Sequence, residues 1–444
     1  MSEALPQDLN FSLRPVSASA RQYLQNLPPT NGSSFQPSNV IRVSIPCGRP
    51  NTFYQPHQSY LKLKLTNNHA DELTVDNSVH SLIQRITIYH GSNLLEDIND
   101  YGVIASMLYD LQVDGAELGR TGAITSGGQD GQTFASNDIS TSRNINRRGA
   151  SVAGTADRVF AFPLISGVVG TMMSKALPVG EMSAGDLRIE IELASASLAV
   201  VNNTANNNAP DWTVSDVEYV CSFIELSAQA SQDIRNAHGG RYAISTESYR
   251  SYQATVNAGA GEQTFLIPAK FSSLKSLVCS MRSSTTTAVD NAGYKSSSTS
   301  GRAKGGMTQY QFRLSGGLSL PSQPVDCEDN AQVIAELMRC FHALGVANHS
   351  TNLDATQFDL VGTAQSAGAV PHDDKHGSYM FAINLDAYGA NSHLLEQGTD
   401  TLGSGNIFLN ATFGSGGLAG QLNSFAHYDL LLAVDENGVM SAKY

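Results

Sequence analysis

The sequence predicts an all-β protein made of two similar domains, and three observations lead to that prediction. Stretches in which apolar and polar residues alternate recur along the chain, which is the period of strands that bury one face. Charged residues make up only 15% of the 444 residues, whereas 39 glycines suit many turns. Several short patterns of the first half return in the same order in the second half.

Residues 1–38 are rich in proline, serine, asparagine and glutamine and show little apolar periodicity. We predict an extended N-terminal arm here. A disordered tail and an arm that orders against a neighbouring molecule both fit this composition. The apolar residues of the arm suit a segment that lies along a groove, and they are Phe11, Leu13, Tyr23, Leu24, Leu27 and Phe35.

The first predicted domain spans residues 39–230. Asp186–Leu193 alternates apolar and charged residues over its whole length, and Tyr60–Thr66 alternates leucine with lysine. Both patterns predict strands with one buried face and one solvated face. Further strands are predicted at Val40–Ile45, Leu82–Tyr89, Val159–Leu164 and Val217–Leu226.

One helix is predicted in this domain, over Tyr101–Gln112, where apolar residues recur at helical spacing. Three acidic residues precede or begin it: Glu96, Asp97 and Asp100. They could act as acid/base carboxylates. Capping of the helix N-terminus, where negative charge is favoured, is the preferred explanation.

The second predicted domain spans residues 241–444 and follows a linker at 231–240. Its helix is predicted over Glu328–Leu344, with Asp326 as a candidate N-cap and Gly345 as a candidate stop. The matches between the halves pair Val103–Ala105 with Val333–Ala335, Phe160–Leu164 with Phe381–Leu385, Leu187–Leu193 with Ile407–Phe413, and Tyr219 with Tyr428.

Two antiparallel domains of this kind predict two tandem eight-stranded jelly-roll barrels, each with a short helix insertion and long polar loops. The long loops fall at Val113–Asp157, Arg282–Thr308 and Gly345–Gly377. Loops of this length are usually functional or disordered.

The sequence resembles the double jelly-roll major capsid proteins of tailless icosahedral viruses, the lineage of adenovirus-type, tectivirus-type, virophage and polinton-like virus shells. The resemblance covers nearly the whole chain from residue 39. It depends on fold signatures without reactive residues, which are Tyr54–Leu65, Leu82–Leu111, Phe265–Met281 and Tyr428–Val434.

The resemblance implies a structural protein and no enzyme. It implies a major capsid protein that self-assembles as pseudo-hexagonal homotrimers into an icosahedral virion shell. Its partners would be neighbouring capsomers and the penton and minor capsid proteins. The long loops would form an outer tower, and the N-terminal arm would clamp neighbours. The protein would be made in the host cytoplasm and reside in the virion.

Charge and cysteine content exclude other classes. A net charge of −13, from 27 basic and 40 acidic residues, argues against binding nucleic acid by counterion release, so no sequence-specific nucleic-acid binding is expected. Five widely spaced cysteines without a CxxC pair fit a reducing compartment better than a disulfide framework or zinc module. No apolar run reaches the length of about 20 residues that a bilayer needs, so no transmembrane segment is predicted.

Three loop motifs contain residue types that could form a site, but none of them is predicted to be one. His372–His376 could hold a cation, but Pro371 and Gly377 predict a solvated loop instead of the helix that this histidine spacing requires. Gly127–Gly131 lacks the alternating ligands of a calcium loop, and Arg143, Arg147 and Arg148 form a basic spot on an acidic chain.

We therefore predict no catalytic, cofactor-binding or metal-ligating residues and no cofactor. The alternative function is a tandem jelly-roll carbohydrate-binding protein or a viral adhesin. A carbohydrate site would need converging aromatic residues or paired carboxylates, and the chain has a single tryptophan, Trp212.

Overall fold

A computed structural model of the chain describes residues 19–70, 73–76, 78–112, 149–202, 211–283, 302–314, 317–328, 330–341, 358, 379–387, 398–403, 406–415, 417 and 419–444. In the first half the strands are β1 (Ala20–Leu27), β2 (Ser34–Phe35), β3 (Val40–Ile45), β4 (Thr52–Asn67), β5 (Leu73–Asp76), β6 (Ile83–His90), β7 (Asn93–Asn99), β8 (Gly149–Val152), β9 (Asp157–Phe162), β10 (Leu187–Leu193), β11 (Val200–Asn202) and β12 (Trp212–Leu226). The helices there are a 3-10 turn (Val79–Leu82), α1 (Tyr101–Gln112), α2 (Ala196–Ala199) and α3 (Ala228–His238).

The second half has one described helix of comparable length, α4 (Asn330–Cys340). Its strands are β13 (Tyr242–Val256), β14 (Gly261–Ile267), β15 (Leu274–Ser283), β16 (Arg302–Ala303), β17 (Met307–Arg313), β18 (Ser319–Asp326), β19 (Phe381–Asn384), β20 (Ile407–Phe413), β21 (Gly420–Val434) and β22 (Met440–Lys443).

Sheet topology repeats between the halves. The first half contains the antiparallel sheets β1-β12-β4-β9 and β3-β10-β6-β7. In the second half β13-β21-β15, with β19 also paired to β15, matches the first of these sheets, and β14-β20-β17-β18 matches the other. Each half thus has eight corresponding strands in two facing sheets. The fold is a double jelly roll, as predicted, and α1 and α4 occupy the same place in the two barrels.

Each barrel has a core because apolar residues alternate with polar ones along its strands, so that one face of each strand is apolar. Along β10, Leu187, Ile189 and Ile191 are buried between the sheets of the first half while the charged residues between them face outwards. Along β20, Ile407, Leu409 and Ala411 do the same in the second half. The predicted inward faces of both strands are confirmed.

The predicted start of the first barrel at residue 39 is wrong. Residues 20–27 form β1, which pairs with β12 along its whole length, and residues 34–35 form β2 on the same strand. Leu27 and Phe35 are buried. The sequence concealed this strand because β1 lies at a sheet edge, where few of its side chains enter the core. Phe11 and Leu13 lie outside the described residues.

The predicted linker at 231–240 belongs mostly to helix α3. The hydroxyl of Ser227 accepts a hydrogen bond from the backbone N–H of Ala230 at 3.3 Å, which caps the helix start. Gly239 ends the helix with a φ of 61°, a left-handed conformation that favours glycine.

The structure also shows what precedes the two longer helices. A strand lies directly before each of them, β7 before α1 and β18 before α4. Glu96 and Asp97 therefore belong to β7 and do not cap α1. Asp326 ends β18, and its carboxylate accepts a hydrogen bond from the N–H of Glu328 at 2.8 Å. Gly345 and most of the three predicted long loops lie outside the described residues.

Candidate functional site

The two halves of the chain meet where β7, α1 and the segment 164–184 of the first half contact β13, β16, β21 and β22 of the second. The approach is close at Gly167, where a Cβ atom would lie 2.2 Å from the backbone oxygen of Glu247. Only glycine fits there. At the other end of the contact, the imidazole Nδ1 of His90 accepts a hydrogen bond from the backbone N–H of Met440 at 3.0 Å.

Glu96 lies at the centre of this junction and is fully buried. Its carboxylate accepts hydrogen bonds from the hydroxyls of Ser166 and Ser248, one from each half, and from the N–H of Gly167 at 2.8 Å. Burial raises the pKa of the carboxyl, although these hydrogen bonds favour its charged form. The side chain connects the two barrels without facing solvent, which excludes it as a base for a dissolved substrate.

Asp100 is the second buried carboxylate at the junction. It precedes α1 with a φ of 50°, and its side chain turns away from the helix instead of capping it. Oδ2 accepts a hydrogen bond from Asn423 Nδ2 at 2.7 Å, and Arg282 Nη2 lies 3.5 Å from Oδ1. Three further donors reach the same carboxylate: Gln84, Ser251 and Gln253. The capping explanation is therefore wrong for Asp100 as well.

Replacing Asp100 with alanine is expected to lower the free energy of unfolding by about 2–4 kcal/mol, because the buried donors of the second half lose a shared charged acceptor. Urea unfolding followed by circular dichroism measures the loss. Asp97→Ala is the control, since Asp97 pairs with Arg85 at a half-exposed position and should cost at most about 1 kcal/mol. Equal losses in the two variants would contradict a junction role for Asp100.

Glu96 is expected to make the free energy of unfolding decrease as the pH rises. Its folded pKa lies above the ordinary value of 4.5, so folding takes up protons. The stabilisation is complete below pH 4.5 and is lost as the pH rises through the folded pKa. We expect the unfolding free energy of wild type to fall relative to Glu96→Gln between pH 4 and pH 8, measured from urea midpoints. A constant difference over that range would contradict the raised pKa.

A cavity of about 510 Å³ lies between the two halves and is lined by residues of both. Leu108 and Tyr109 of α1 line it, together with Glu247, Lys275 and His427 of the second half. Lys275 Nζ lies 2.5 Å from one oxygen of Glu247, and His427 Nε2 lies 2.9 Å from the other. Both oxygens of Glu247 are therefore engaged in ion pairs or hydrogen bonds.

The neighbouring side chains of His427 and Lys275 keep Glu247 ionised. Burial raises its pKa, but the hydrogen bonds and charges of His427 and Lys275 outweigh that effect and hold the pKa at about 2. The group is a carboxylate at any ordinary pH. It fixes the positions of Lys275 and His427 and is a poor proton acceptor for catalysis.

The described residues contain no cluster of three or more histidine, cysteine or acidic side chains that could hold a metal. In the same residues no helix is long and apolar enough to cross a membrane. All five cysteines are free, and burial raises the thiol pKa of Cys47 and of Cys279 to about 12. Such thiols stay protonated and unreactive.

The three loop motifs considered from the sequence lie outside the described residues: His372–His376, Gly127–Gly131 and the arginines 143, 147 and 148. The residues that join the halves were missed by sequence reasoning, apart from the acidic group around α1. The local sequence does not mark them: β7 reads Asn-Leu-Leu-Glu-Asp-Ile-Asn, in which the buried Glu96 stands beside the half-buried Asp97.

Comparison with solved structures shows which proteins share this fold. The PBCV-1 protein VP54, whose crystal structure was fitted into a cryo-EM reconstruction of the virophage Sputnik, matches with a TM-score of 0.64 and 11% identity over 98% of each chain. The Faustovirus major capsid protein matches with a TM-score of 0.58 and 10% identity, over 95% of this chain and 92% of that one. The mavirus major capsid protein gives 0.56 and 10%, over 99% and 93%.

No protein-family model matches the sequence, and a search of curated proteins finds no match. The similarity to these three proteins is therefore seen in the structures and not in the sequences. They confirm the double jelly-roll fold along nearly the whole chain.

Proposed function

We propose that this chain is a viral major capsid protein, a structural subunit whose work is self-assembly. The observation that carries the proposal is the shared double jelly roll, which spans 98% of both this chain and VP54. Coverage of this extent leaves no additional domain in the described residues for another activity. The major capsid proteins of Faustovirus and mavirus have the same fold over more than nine-tenths of their lengths.

The chemistry of the junction supports a structural role. The buried carboxylates Glu96 and Asp100 accept hydrogen bonds from both halves, and both oxygens of Glu247 are engaged, by Lys275 and by His427. Glu96 and Asp100 thus connect the two barrels, and Glu247 ties together three strands of the second one. We propose on these grounds that the protein is not an enzyme and needs no cofactor.

The proposed assembly is a homotrimer with six jelly rolls in a pseudo-hexagonal outline, which packs with neighbouring capsomers into an icosahedral shell. Penton and minor capsid proteins are the further partners that such a shell requires. The protein is proposed to be made in the host cytoplasm and to reside in the virion, without sequence-specific contact to nucleic acid.

The test is the oligomeric state of the purified full-length chain. Native mass spectrometry should give a trimer, and negative-stain microscopy should show hexagonal capsomers or closed shells. A monomer that binds immobilised glycans would contradict the proposal and favour the carbohydrate-binding alternative. A monomer without glycan binding would contradict it too.

A further inference from the structure

Strand β22 lies between the two halves of the chain. On one side it pairs antiparallel with β21 of its own barrel, from Val434 opposite Met440 to Leu431 opposite Lys443. On the other side it packs against β7 and the turn that joins β6 to β7 in the first barrel. The backbone of β22 is therefore in contact with both barrels.

Groups of the first half hydrogen-bond the backbone of β22 and of the turn before it. The N–H of Met440 donates to His90 Nδ1 at 3.0 Å, and Asn93 Nδ2 donates to the carbonyl oxygen of Met440 at 3.1 Å. The N–H of Ala184 donates to the carbonyl oxygen of Gly438 at 3.3 Å. Because His90 ends β6 and Asn93 begins β7, one hairpin of the first barrel binds both polar groups of Met440.

The same region is closely packed. A Cβ atom on Gly438 would lie 2.6 Å from the backbone oxygen of Glu181, and the φ of 74° at this position also favours glycine. Met440 is 0% exposed and His90 is 2% exposed. The hydrogen bond between these two residues is therefore shielded from water, which makes its loss costly.

A histidine can accept this hydrogen bond only in its neutral form. The neutral ring has one donor nitrogen and one acceptor nitrogen, so acceptance at Nδ1 places the proton of His90 on Nε2. In the imidazolium both nitrogens are donors. Protonation would set Nδ1–H against the N–H of Met440, and a buried N–H that loses its acceptor destabilises the contact.

The groups around His90 act on its charge in opposite directions. Burial lowers the pKa of His90 below its ordinary value of 6.5, and it outweighs the backbone carbonyls of Gly185 and Met182 and the carboxylate of Asp186, which favour the imidazolium. Among the described residues, Asp186 is the one charged side chain whose field reaches the ring. On the side of the second half the ring faces the backbone of Met440.

We propose that His90 is a pH switch for the contact between the two barrels: protonation of its ring releases the backbone of Met440 and frees β22 from the first half. This inference goes beyond the proposed function and does not depend on the oligomeric state, because both groups belong to one chain.

Burial sets the direction of the effect. In the released state the ring has its ordinary pKa of 6.5, above that of the closed state, so release takes up a proton. The contact is complete above pH 6.5 and weakens as the pH falls below that value.

Glu96, at the centre of the same junction, responds to acid in the opposite direction. Its raised pKa makes the folded state more stable as the pH falls, whereas the lowered pKa of His90 makes it less stable. The unfolding free energy of the whole chain is the sum of the two effects. The test of the switch therefore needs a local readout at β22.

Hydrogen exchange of the full-length chain, followed by mass spectrometry, gives that readout. In wild type the protection of the Met440 amide, corrected for its intrinsic exchange rate, should fall between pH 8 and pH 5, by up to about tenfold for each pH unit below 6.5. His90→Asn should keep its protection, since the amide oxygen of asparagine takes the place of Nδ1 and does not titrate. His90→Leu should be poorly protected at both pH values.

Two controls separate local release from other effects of acid. His238→Asn removes an exposed histidine at the end of α3, and this variant should keep the pH dependence of wild type. The amides of β20, which lies inside the second barrel, should stay protected at pH 5 in every variant.

Equal pH dependence of the Met440 amide in wild type and in His90→Asn would overturn the switch. Full protection of that amide in His90→Leu at pH 8 would overturn it too, because the ring would not be what holds Met440. Loss of protection in β20 together with Met440 at pH 5 would mean that acid unfolds the whole barrel, which contradicts a local release. If His90→Leu does not fold, the comparison of wild type with His90→Asn decides alone.

Discussion

Replacing Ile189 or Leu409 with aspartate is expected to abolish soluble folding. Each residue is 0% exposed and lies at the centre of β10 or β20, where it faces the core of its barrel. A buried carboxylate without a partner costs several kcal/mol or forces the group to take up a proton. That cost is a large share of the ~5–15 kcal/mol by which proteins of ordinary size are stable. Soluble yield and thermal unfolding measure the effect.

The control for this pair of variants is Glu190→Gln. Glu190 lies beside Ile189 in sequence but faces outwards, where its carboxylate is 3.0 Å from the guanidinium of Arg42. An exposed ion pair contributes about 0–1 kcal/mol, so the variant should fold normally. Normal folding of Ile189→Asp would mean that the inward and outward faces of β10 are reversed.

Removing residues 1–38 is expected to destabilise the first barrel severely, because the deletion takes away β1 and β2. The edge of β12 loses its partner strand, and two buried side chains, Leu27 and Phe35, are lost from the core. Each buried apolar side chain is worth ~1.5–3 kcal/mol, before the lost backbone hydrogen bonds are counted. Thermal unfolding and limited proteolysis should both show the first half to be unfolded.

The matched deletion removes residues 1–18 and leaves β1 in place. This shorter deletion should unfold within a few degrees of the full-length protein and should keep its oligomeric state. If the longer deletion were equally stable, β1 would be dispensable to the barrel. The predicted arm at residues 1–38 would then be the better description of this segment.

Much of the fold could be predicted from the sequence, because strands with one buried face have a local period of two. Asp186–Leu193 shows that period without interruption, and β10 occupies Leu187–Leu193. The duplication was visible for the same reason: equivalent strands need the same inward residues, so Phe160–Leu164 and Phe381–Leu385 kept similar patterns. The first stretch begins in β9, and the second contains β19, which is its equivalent edge strand.

Local sequence patterns did not predict burial where it depends on residues that are distant in the sequence. β1 has few residues in the core, so its alternation is weak, and its partner β12 lies at the far end of the first half. Glu96 and Asp97 stand next to each other, yet the first is buried at the junction and the second pairs with Arg85 near the surface. The residues next to Glu96 and Asp97 in the sequence are nearly the same, so local sequence cannot tell which of the two is buried.

The sequence by itself determined the all-β class, the two copies of the jelly roll and the inward face of each regular strand, since all of these depend on periodicity within a few residues. Only the tertiary structure decided how the copies meet. The packing of β13 against β7 brings residues of the two halves, such as Glu96 and Ser248, into contact. Such contacts depend on the relative position of two barrels, which leaves no periodic trace in the chain.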